Sequence, residues 1–414
     1  MNWAAVLATT LTLAALATYI NHRYLRQPPT IALMGMALCG SLVLLVMMEW
    51  TPLDVTPLVQ NARDVDFRAV LMDGMLPFLL FAGALHVDFN RMRQQEGAIA
   101  ALATVGVLAA AFATGGLLWG AARLLQVPLD FAQALLFGAL IAPTDPIAVI
   151  ALLRSARASP ELEALMSGES LLNDGVGIVL FTALLGIAVG GQEASVGAFA
   201  LGFVVEGVGG AVLGMLVGGA GFMLLRTVDD YPVEIFLTLG IASSSYALAD
   251  AFHVSGPIAT VAAGLVVGTV GRRYGMSKVT QSHLDPFWAF VDEVLNAVLF
   301  MFIGLAILVV AFDYSHLGLA LAAIAAVLAA RWATVASILG ALGGSRRFGK
   351  GTVTVLTWGG LRGGISIALV LSLPIGELRS TLLTATYAVV VFSLLVQGLT
   401  LQRVARASGA TRPG

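Results

Sequence analysis

Long apolar segments recur along almost the whole chain and are separated by short polar loops. Most have about 18 to 28 residues, and each is long enough to cross the ~30 Å hydrocarbon core of a bilayer as a helix. Only 11% of the residues are charged, against roughly 25% in an average soluble chain. We therefore expect an all-α polytopic membrane protein with no soluble domain.

The pattern predicts thirteen membrane spans. In chain order, their approximate ranges are 3–20, 30–49, 69–87, 97–120, 131–153, 163–189, 195–225, 233–251, 254–271, 286–312, 317–342, 352–374 and 382–402. Of the 22 Lys and Arg residues, two lie inside spans, four in one set of alternate loops and 16 in the other. Because cytoplasmic loops carry the excess of positive charge, the N-terminus is predicted outside and the C-terminus inside.

Two predicted spans contain helix-breaking residues near their middle. Residues 142–146 in span 5 read Ala-Pro-Thr-Asp-Pro, and residues 359–364 in span 12 read Gly-Gly-Leu-Arg-Gly-Gly. Each proline leaves a backbone carbonyl unpaired, here those of Ala139 and Ala142. Interrupted helices in matching positions of two inverted halves are typical of the midplane site of a secondary transporter. Two ordinary kinks are the alternative interpretation.

Span 6 contains two carboxylates at membrane depth, where a charge costs at least ~2.5 kcal/mol. Residues 168–175 read Gly-Glu-Ser-Leu-Leu-Asn-Asp-Gly. Helical spacing puts Ser170 and Asp174 on one face and Glu169 and Asn173 on the neighbouring face. A hydroxyl beside a carboxylate forms half of an oxygen cage for a hard cation, which Thr144, Asp145 and the freed carbonyls could complete.

The buried charges predict one ion pair and one free acid. Arg362 cannot lose its proton, so we predict that it forms a structural and gating pair with Glu169, with ion binding by Glu169 as the alternative. The buried acids outnumber the two arginines inside spans, Arg331 and Arg362, so at least one carboxylate is left to bind either a proton or a cation. We assign that role to Asp174, against the alternative of a permanent ion pair; Asp145 is either a ligand or a stabiliser of the helix break.

Four motifs together resemble the monovalent cation:proton antiporters of the Na+/H+ exchanger type. They are residues 168–175, Thr-Asp-Pro-Ile-Ala-Val at 144–149, Leu-Asn-Ala-Val-Leu-Phe-Met-Phe-Ile-Gly-Leu at 295–305 and Gly-Leu-Arg-Gly-Gly at 360–364. The resemblance implies a thirteen-helix inverted-repeat fold and a homodimer in the cell inner membrane. It also implies core-domain helices at about 97–189 and 317–402 that move against scaffold helices at about 1–87 and 195–312.

The same resemblance implies electroneutral exchange of one Na+, or Li+ or K+, for one proton, because the family pairs Asn with Asp where this chain has Asn173 and Asp174. Asp174 would bind ion or proton with help from Ser170, Thr144 and Asp145, and Asn173 is also counted among the ion- or proton-binding residues. The expected partners are these ions, membrane lipid and a second copy of the chain, with no cofactor and no nucleic acid.

One position departs from the family pattern. Many members similar to this chain have a glutamate in span 3 where this chain has Ala82. Asp73 lies nine residues earlier, roughly 13 Å along a helix, and cannot replace it directly. The choice among Na+, K+ and Li+ therefore stays open, and a K+/H+ antiporter of the same fold is the first alternative.

Other classes of protein fit less well. A membrane hydrolase with its nucleophile at Ser170 would need glycine at the position of Leu172, and the five histidines lack zinc spacing. We therefore expect no enzyme activity. A cation channel is the more serious rival, but the chain has no glycine-aromatic filter signature.

Overall fold

The computed structural model describes residues 3–50, 69–189, 196–305 and 317–410. Within these ranges the chain forms helices and no β-strand. The α-helices are α1 Trp3–Ile20, α2 Pro29–Trp50, α3 Leu76–Leu85, α4 Phe89–Gln94, α5 Glu96–Ala101, α6 Val107–Leu124, α7 Phe131–Leu140, α8 Pro146–Ser155, α9 Pro160–Ala188, α10 Val196–Leu225, α11 Tyr231–Ala251, α12 Gly256–Val266, α13 Arg272–Tyr274, α14 Lys278–Leu305, α15 Leu317–Ala341, α16 Gly344–Phe348, α17 Thr352–Trp358, α18 Gly364–Leu371, α19 Glu377–Phe392 and α20 Leu399–Ala407. Short π-helical stretches extend or join several of them, at Asn21–Leu25, Ala69–Met75, Leu102–Gly106, Val267–Gly271 and Ser393–Gly398.

The predicted all-helical membrane architecture is confirmed. Each of the thirteen predicted segments overlaps a helix or a pair of helix halves. In the described part of the chain, seven helices are long and apolar enough to cross a membrane, or eight if the pair Ala8–Leu25 and Pro29–Leu44, bent by 110°, is one span. Thirteen spans, and their orientation, stay predictions.

Two helices close to the candidate site begin where the local sequence supplies their missing hydrogen bonds. Ser159 precedes α9 and its hydroxyl accepts from the Leu162 N–H at 3.2 Å, with Pro160 at the first helical position. Asp130 and Gln133 form a reciprocal capping box at the start of α7. These caps define the start of α9, which carries Glu169, Ser170, Asn173 and Asp174, and of α7, which ends just before Thr144 and Asp145.

The helices pack in two groups. In one, α12 packs against α3, α10 and α11, while α14 packs against α2 and α3. In the other, α6 packs against α7 and α15, α15 packs against α19, and α9 packs against α7. Helix α9 also touches α10 and α12, so it lies where the two groups meet.

An aromatic cluster centred on Trp288 joins three helices of the first group. The fully buried indole ring lies 4.9 Å from the ring of Phe81 on α3, centre to centre. Its N–H donates to the Thr238 hydroxyl on α11 at 3.0 Å, so the buried polar atom is satisfied. This contact anchors α14 against α3 and α11.

A stripe of glycines in α10 lets that helix approach α12 closely. We predict from the spacing of Gly210, Gly214 and Gly218 that they pack helices within one bundle, with a dimer interface as the alternative. Gly214 and Gly218 face α12 within this chain and Gly210 faces its N-cap residue Ser255, and a Cβ atom on Gly214 would lie 2.0 Å from the carbonyl oxygen of Ala259. The packing prediction is confirmed.

We expect Gly214→Ala to lower the free energy of unfolding by about 1–3 kcal/mol, because α10 and α12 must move apart to admit the methyl group. Gly219→Ala is the matched control on the same helix, since a Cβ atom there meets nothing within 4 Å. Thermal unfolding in detergent measures both. Equal melting temperatures for the two variants would contradict the packing.

Candidate functional site

The two predicted interruptions are confirmed, and they lie side by side. Helix α7 ends at Leu140 before α8 begins at Pro146, and α17 ends at Trp358 before α18 begins at Gly364. The backbone N–H of Asp145 donates to the carbonyl of Leu361 at 2.8 Å, which joins the two breaks.

A missing side chain makes this contact feasible. A Cβ atom on Gly363 would lie 2.9 Å from Oδ2 of Asp145. Glycine at this position therefore lets the Asp145 carboxylate lie directly against the second break.

Arg362 neutralises the C-terminal end of α7. Its guanidinium donates to the carbonyl of Ala142 and, at 3.1 Å, to that of Pro143, while its backbone N–H donates to the Ser393 hydroxyl at 3.1 Å. A helix C-terminus carries roughly half a negative charge, so a cation there is stabilising. We predict from the sequence that the carbonyls freed by the prolines complete a cation cage. In the structure, however, both carbonyls accept hydrogen bonds from the protein. The carbonyl of Ala142 accepts from Arg362, and the carbonyl of Ala139 accepts from the Ala142 N–H at 3.2 Å.

The predicted pair of Glu169 with Arg362 is wrong, because the partner of Glu169 is Arg331. The two terminal nitrogens of Arg331 donate to the two carboxylate oxygens of Glu169, one of them at 2.7 Å. Arg331 also donates to the carbonyl of Leu356 at 3.3 Å. Glu169 is only 1% exposed. This buried, bidentate pair connects α9, α15 and α17.

Thr144, Ser170 and Asn173 form one hydrogen-bonded cluster. The hydroxyl oxygens of Thr144 and Ser170 lie 2.9 Å apart, and the Asn173 amide donates to the Thr144 hydroxyl at 2.7 Å. The Thr144 backbone N–H donates to Oδ1 of Asn173 at 3.3 Å. Although Asn173 and Ser170 belong to neighbouring faces of α9, both reach the first break and fix Thr144 in place.

Asp174 is the buried acid that these contacts leave unpaired. It is 6% exposed, and its Oδ1 has no hydrogen-bond partner among the described residues. A buried carboxylate oxygen without a donor costs free energy unless a proton or a cation binds it. No salt bridge to Asp174 occurs in the described ranges, which argues against the alternative of a permanent ion pair.

Asp174 faces a cavity of about 480 Å³ between the two groups of helices. Thr144, Asp145 and Asp174 line one wall, and the opposite wall includes Asp292 and Asn296 from α14. Ala82 lines that opposite wall too. Ser170, Asn173 and Glu169 lie behind the first wall and are not among its lining residues in the described part of the chain.

The cavity is open to the surface, because several of the described residues that line it are exposed. Arg154 and His86 are two of these exposed residues. Arg154 belongs to the loops that the charge count places in the cytoplasm.

Our interpretation of the sequence missed three residues of this region. Arg331 is visible as a buried base, but helical spacing on α9 does not say which arginine lies beside Glu169. Asp292 and Asn296 are four residues apart, so they share a face of one helix, and an acid and an amide inside an otherwise apolar span are the signal that could have found them.

Two broken helices that meet at their interruptions, beside a buried acid at the end of an open cavity, define a secondary transporter. Comparison with known proteins identifies the family. The family model described as "Sodium/hydrogen exchanger, transmembrane" matches residues 11–407. The chain belongs to this family of sodium/hydrogen exchangers.

Individual relatives match this chain in sequence over nearly its full length. The chain is 45% identical over 413 residues to the Na+/H+ antiporter NhaP of Pseudomonas aeruginosa, covering 99% of this chain and 97% of the relative. It is 34% identical to the Na+/H+ antiporter NhaH of Halobacillus aidingensis, covering 98% and 96%. The fold is similar to that of the sodium proton antiporter MjNhaP1 from Methanocaldococcus jannaschii, with a TM-score of 0.77, 20% identity and 98% of each chain covered.

We expect energetic coupling between Glu169 and Arg331. Glu169→Gln and Arg331→Gln should each destabilise the protein by about 3–5 kcal/mol, because each leaves a buried charge unpaired. The double variant should lose less than the sum, with a coupling of about 1–3 kcal/mol. Denaturant unfolding in detergent gives the four free energies.

Glu169→Gln combined with Arg362→Gln is the matched control, since these two side chains make no direct hydrogen bond in the described structure. The coupling between Glu169 and Arg362 should be smaller than that between Glu169 and Arg331. A larger coupling energy for Glu169 with Arg362 than for Glu169 with Arg331 would support the pairing predicted from sequence.

Proposed function

We propose that the chain is an antiporter that exchanges one Na+ for one proton across the cell inner membrane, and so serves sodium transport and pH homeostasis. The observation that carries this proposal is the unpaired, buried Oδ1 of Asp174 at the end of an open cavity. Support also comes from the names of the relatives, which are Na+/H+ antiporters over nearly the full length of the chain.

The transported cation would bind oxygen atoms around Asp174. Na+ is a hard cation and prefers such ligands. Asp174, Asp145 and the Thr144 hydroxyl supply them from the cavity wall, and Ser170 adds a second hydroxyl directly behind Thr144. Asn173 uses both ends of its amide on Thr144, so its role is to position the threonine.

Exchange follows from competition at one carboxylate. A proton and a cation cannot occupy the same oxygen atoms of Asp174 together, and binding either one lowers the apparent affinity for the other. Since Arg331 neutralises Glu169, and the Asn173 amide is neutral, one charge is carried in each direction. The exchange is therefore electroneutral, one cation for one proton.

Alternating access requires one group of helices to move against the other. We assign residues at about 97–189 and 317–402 to a moving core and those at about 1–87 and 195–312 to a scaffold and dimerisation domain. The Glu169–Arg331 pair and the contact between the two breaks lie within the core, so they would carry the site as one body. The cavity lies at the boundary between the two groups.

The remaining features of the proposal concern the arrangement in the membrane. Thirteen spans form two inverted repeats, the interrupted helices of spans 5 and 12 cross at the midplane, and the N-terminus lies outside. With this topology the cavity opens to the cytoplasm, because the exposed Arg154 is one of its lining residues and belongs to a cytoplasmic loop. Two copies of the chain form a homodimer.

A proton-flux assay in proteoliposomes tests the proposal. Adding Na+ or Li+ should dissipate an imposed pH gradient with the wild type and not with Asp174→Asn, which removes the carboxylate that accepts the proton. Asp73→Asn is the control, because Asp73 is an exposed acid outside the cavity lining. It should exchange like the wild type.

Retained exchange in Asp174→Asn would contradict the proposed site. A response to K+ alone would select the K+/H+ alternative, and cation flux that follows the membrane voltage without proton coupling would select a channel.

A further inference from the structure

The scaffold wall of the cavity contains an acidic residue that the proposed exchange mechanism does not use. Four residues of α14 line the cavity at helical spacing: Ala289, Asp292, Asn296 and Leu299. Among the lining residues of α3 and α14, Asp292 is the acidic one. It therefore faces the ion site from the group of helices that does not carry Asp174.

The Asp292 carboxylate is fixed in position by its neighbour on the next helical turn. The amide nitrogen of Asn296 donates to Oδ1 of Asp292 at 3.1 Å and to its backbone carbonyl at 2.8 Å. Asn296 is 3% exposed, whereas Asp292 is partly exposed at the cavity. A buried amide thus holds an accessible carboxylate at the wall.

The neighbouring acid in sequence is placed differently. Glu293 is exposed and is not among the residues that line the cavity. Two adjacent acids therefore differ in their relation to the cavity while sharing one helix, which provides a matched control.

The other scaffold helix at this wall, α3, contributes no acidic residue to the described lining of the cavity. Its lining residues include Leu79, Ala82 and Gly83, and Ala82 is 1% exposed. Asp292 is thus the acid that the scaffold contributes, facing Asp145 and Asp174 on the other wall. Asp292 and Asp145 line the same cavity, so a cation between them would be attracted by both carboxylates.

We propose that Asp292, positioned by Asn296, is an affinity-determining residue that attracts a monovalent cation at the scaffold wall before the cation reaches Asp174. This inference rests on the proposed antiport. A fixed charge in a narrow, low-dielectric cleft raises the local concentration of its counter-ion. Since Asp292 belongs to the scaffold, the cation leaves it behind when the core moves.

The location of Asp292 predicts a sided effect. The lining of the cavity includes the exposed Arg154, which the proposed topology places on the cytoplasmic side. Asp292 therefore acts on cations that enter from the cytoplasm, and the affinity for cations offered from the opposite side of the membrane is independent of it.

The test measures Na+-driven proton flux in everted membrane vesicles, which expose the cytoplasmic face. Asp292→Asn should raise the half-saturating Na+ concentration about 3- to 10-fold, with a maximal rate within about 2-fold of the wild type. Glu293→Gln should match the wild type, and Asp292→Glu should recover most of the affinity. In right-side-out vesicles Asp292→Asn should match the wild type.

The dependence of the half-saturating Na+ concentration on ionic strength distinguishes an electrostatic role of Asp292 from a purely structural one. Raising choline chloride to about 0.5 M shortens the screening length to a few ångströms. The half-saturating Na+ concentration of the wild type should rise toward that of Asp292→Asn, which itself should change little. If Asp292→Asn does not fold, Asp292→Ser removes the same charge.

Two results would overturn the inference: an unchanged half-saturating Na+ concentration in Asp292→Asn, or a lower maximal rate at unchanged half-saturation. Both require that the wild type exchanges, and in that case the proposed antiport stands. Absence of Na+-dependent proton flux in the wild type would instead refute the proposed function itself.

Discussion

A helix that stops inside a membrane leaves polar backbone groups and a partial charge in a medium that solvates neither. This chain stops two helices there, and each break is stabilised by the other. Arg362 of the second break donates to the carbonyls of Ala142 and Pro143 in the first, and the Asp145 N–H of the first donates to Leu361 in the second. The geometry of the site depends on this mutual compensation.

The same contacts also determine which acidic residue has no hydrogen-bond donor and is therefore available for exchange. Arg362 donates to backbone carbonyls and is not the partner of Glu169. The partner of Glu169 is Arg331, on α15. Two buried arginines are thereby committed to structural contacts. Asp174 remains without a donor on Oδ1, and it is one of the acids that line the cavity. Under the proposed mechanism, the permanent contacts within the core leave a single carboxylate for exchange.

The sequence was sufficient for features that depend on local periodicity. The apolar segments, the interruptions at 142–146 and 359–364 and the packing face of Gly214 all follow from the spacing of residues along one helix. The same rule places Glu169 and Asp174 on different faces of α9. Glu169 forms an ion pair, and Asp174 lines the cavity. None of these predictions requires knowledge of how helices are arranged around each other.

The sequence was not sufficient where two distant helices meet. Helical spacing gives Glu169 a face but does not distinguish Arg331 from Arg362 as its partner, because both are buried bases 162 or more residues away. It likewise does not reveal that Asn173 reaches across to Thr144, or that Asp292 on α14 shares a cavity with Asp174. These contacts are set by tertiary packing.

The most direct measurement of the central claim is the half-saturating Na+ concentration for exchange as a function of pH. If one proton and one Na+ compete for Asp174, lowering the pH by one unit in the acidic range should raise the half-saturating concentration about tenfold, and saturating Na+ should restore the same maximal rate. A half-saturating concentration that stays constant while the maximal rate falls would show that proton and cation bind at separate sites, and would contradict the account.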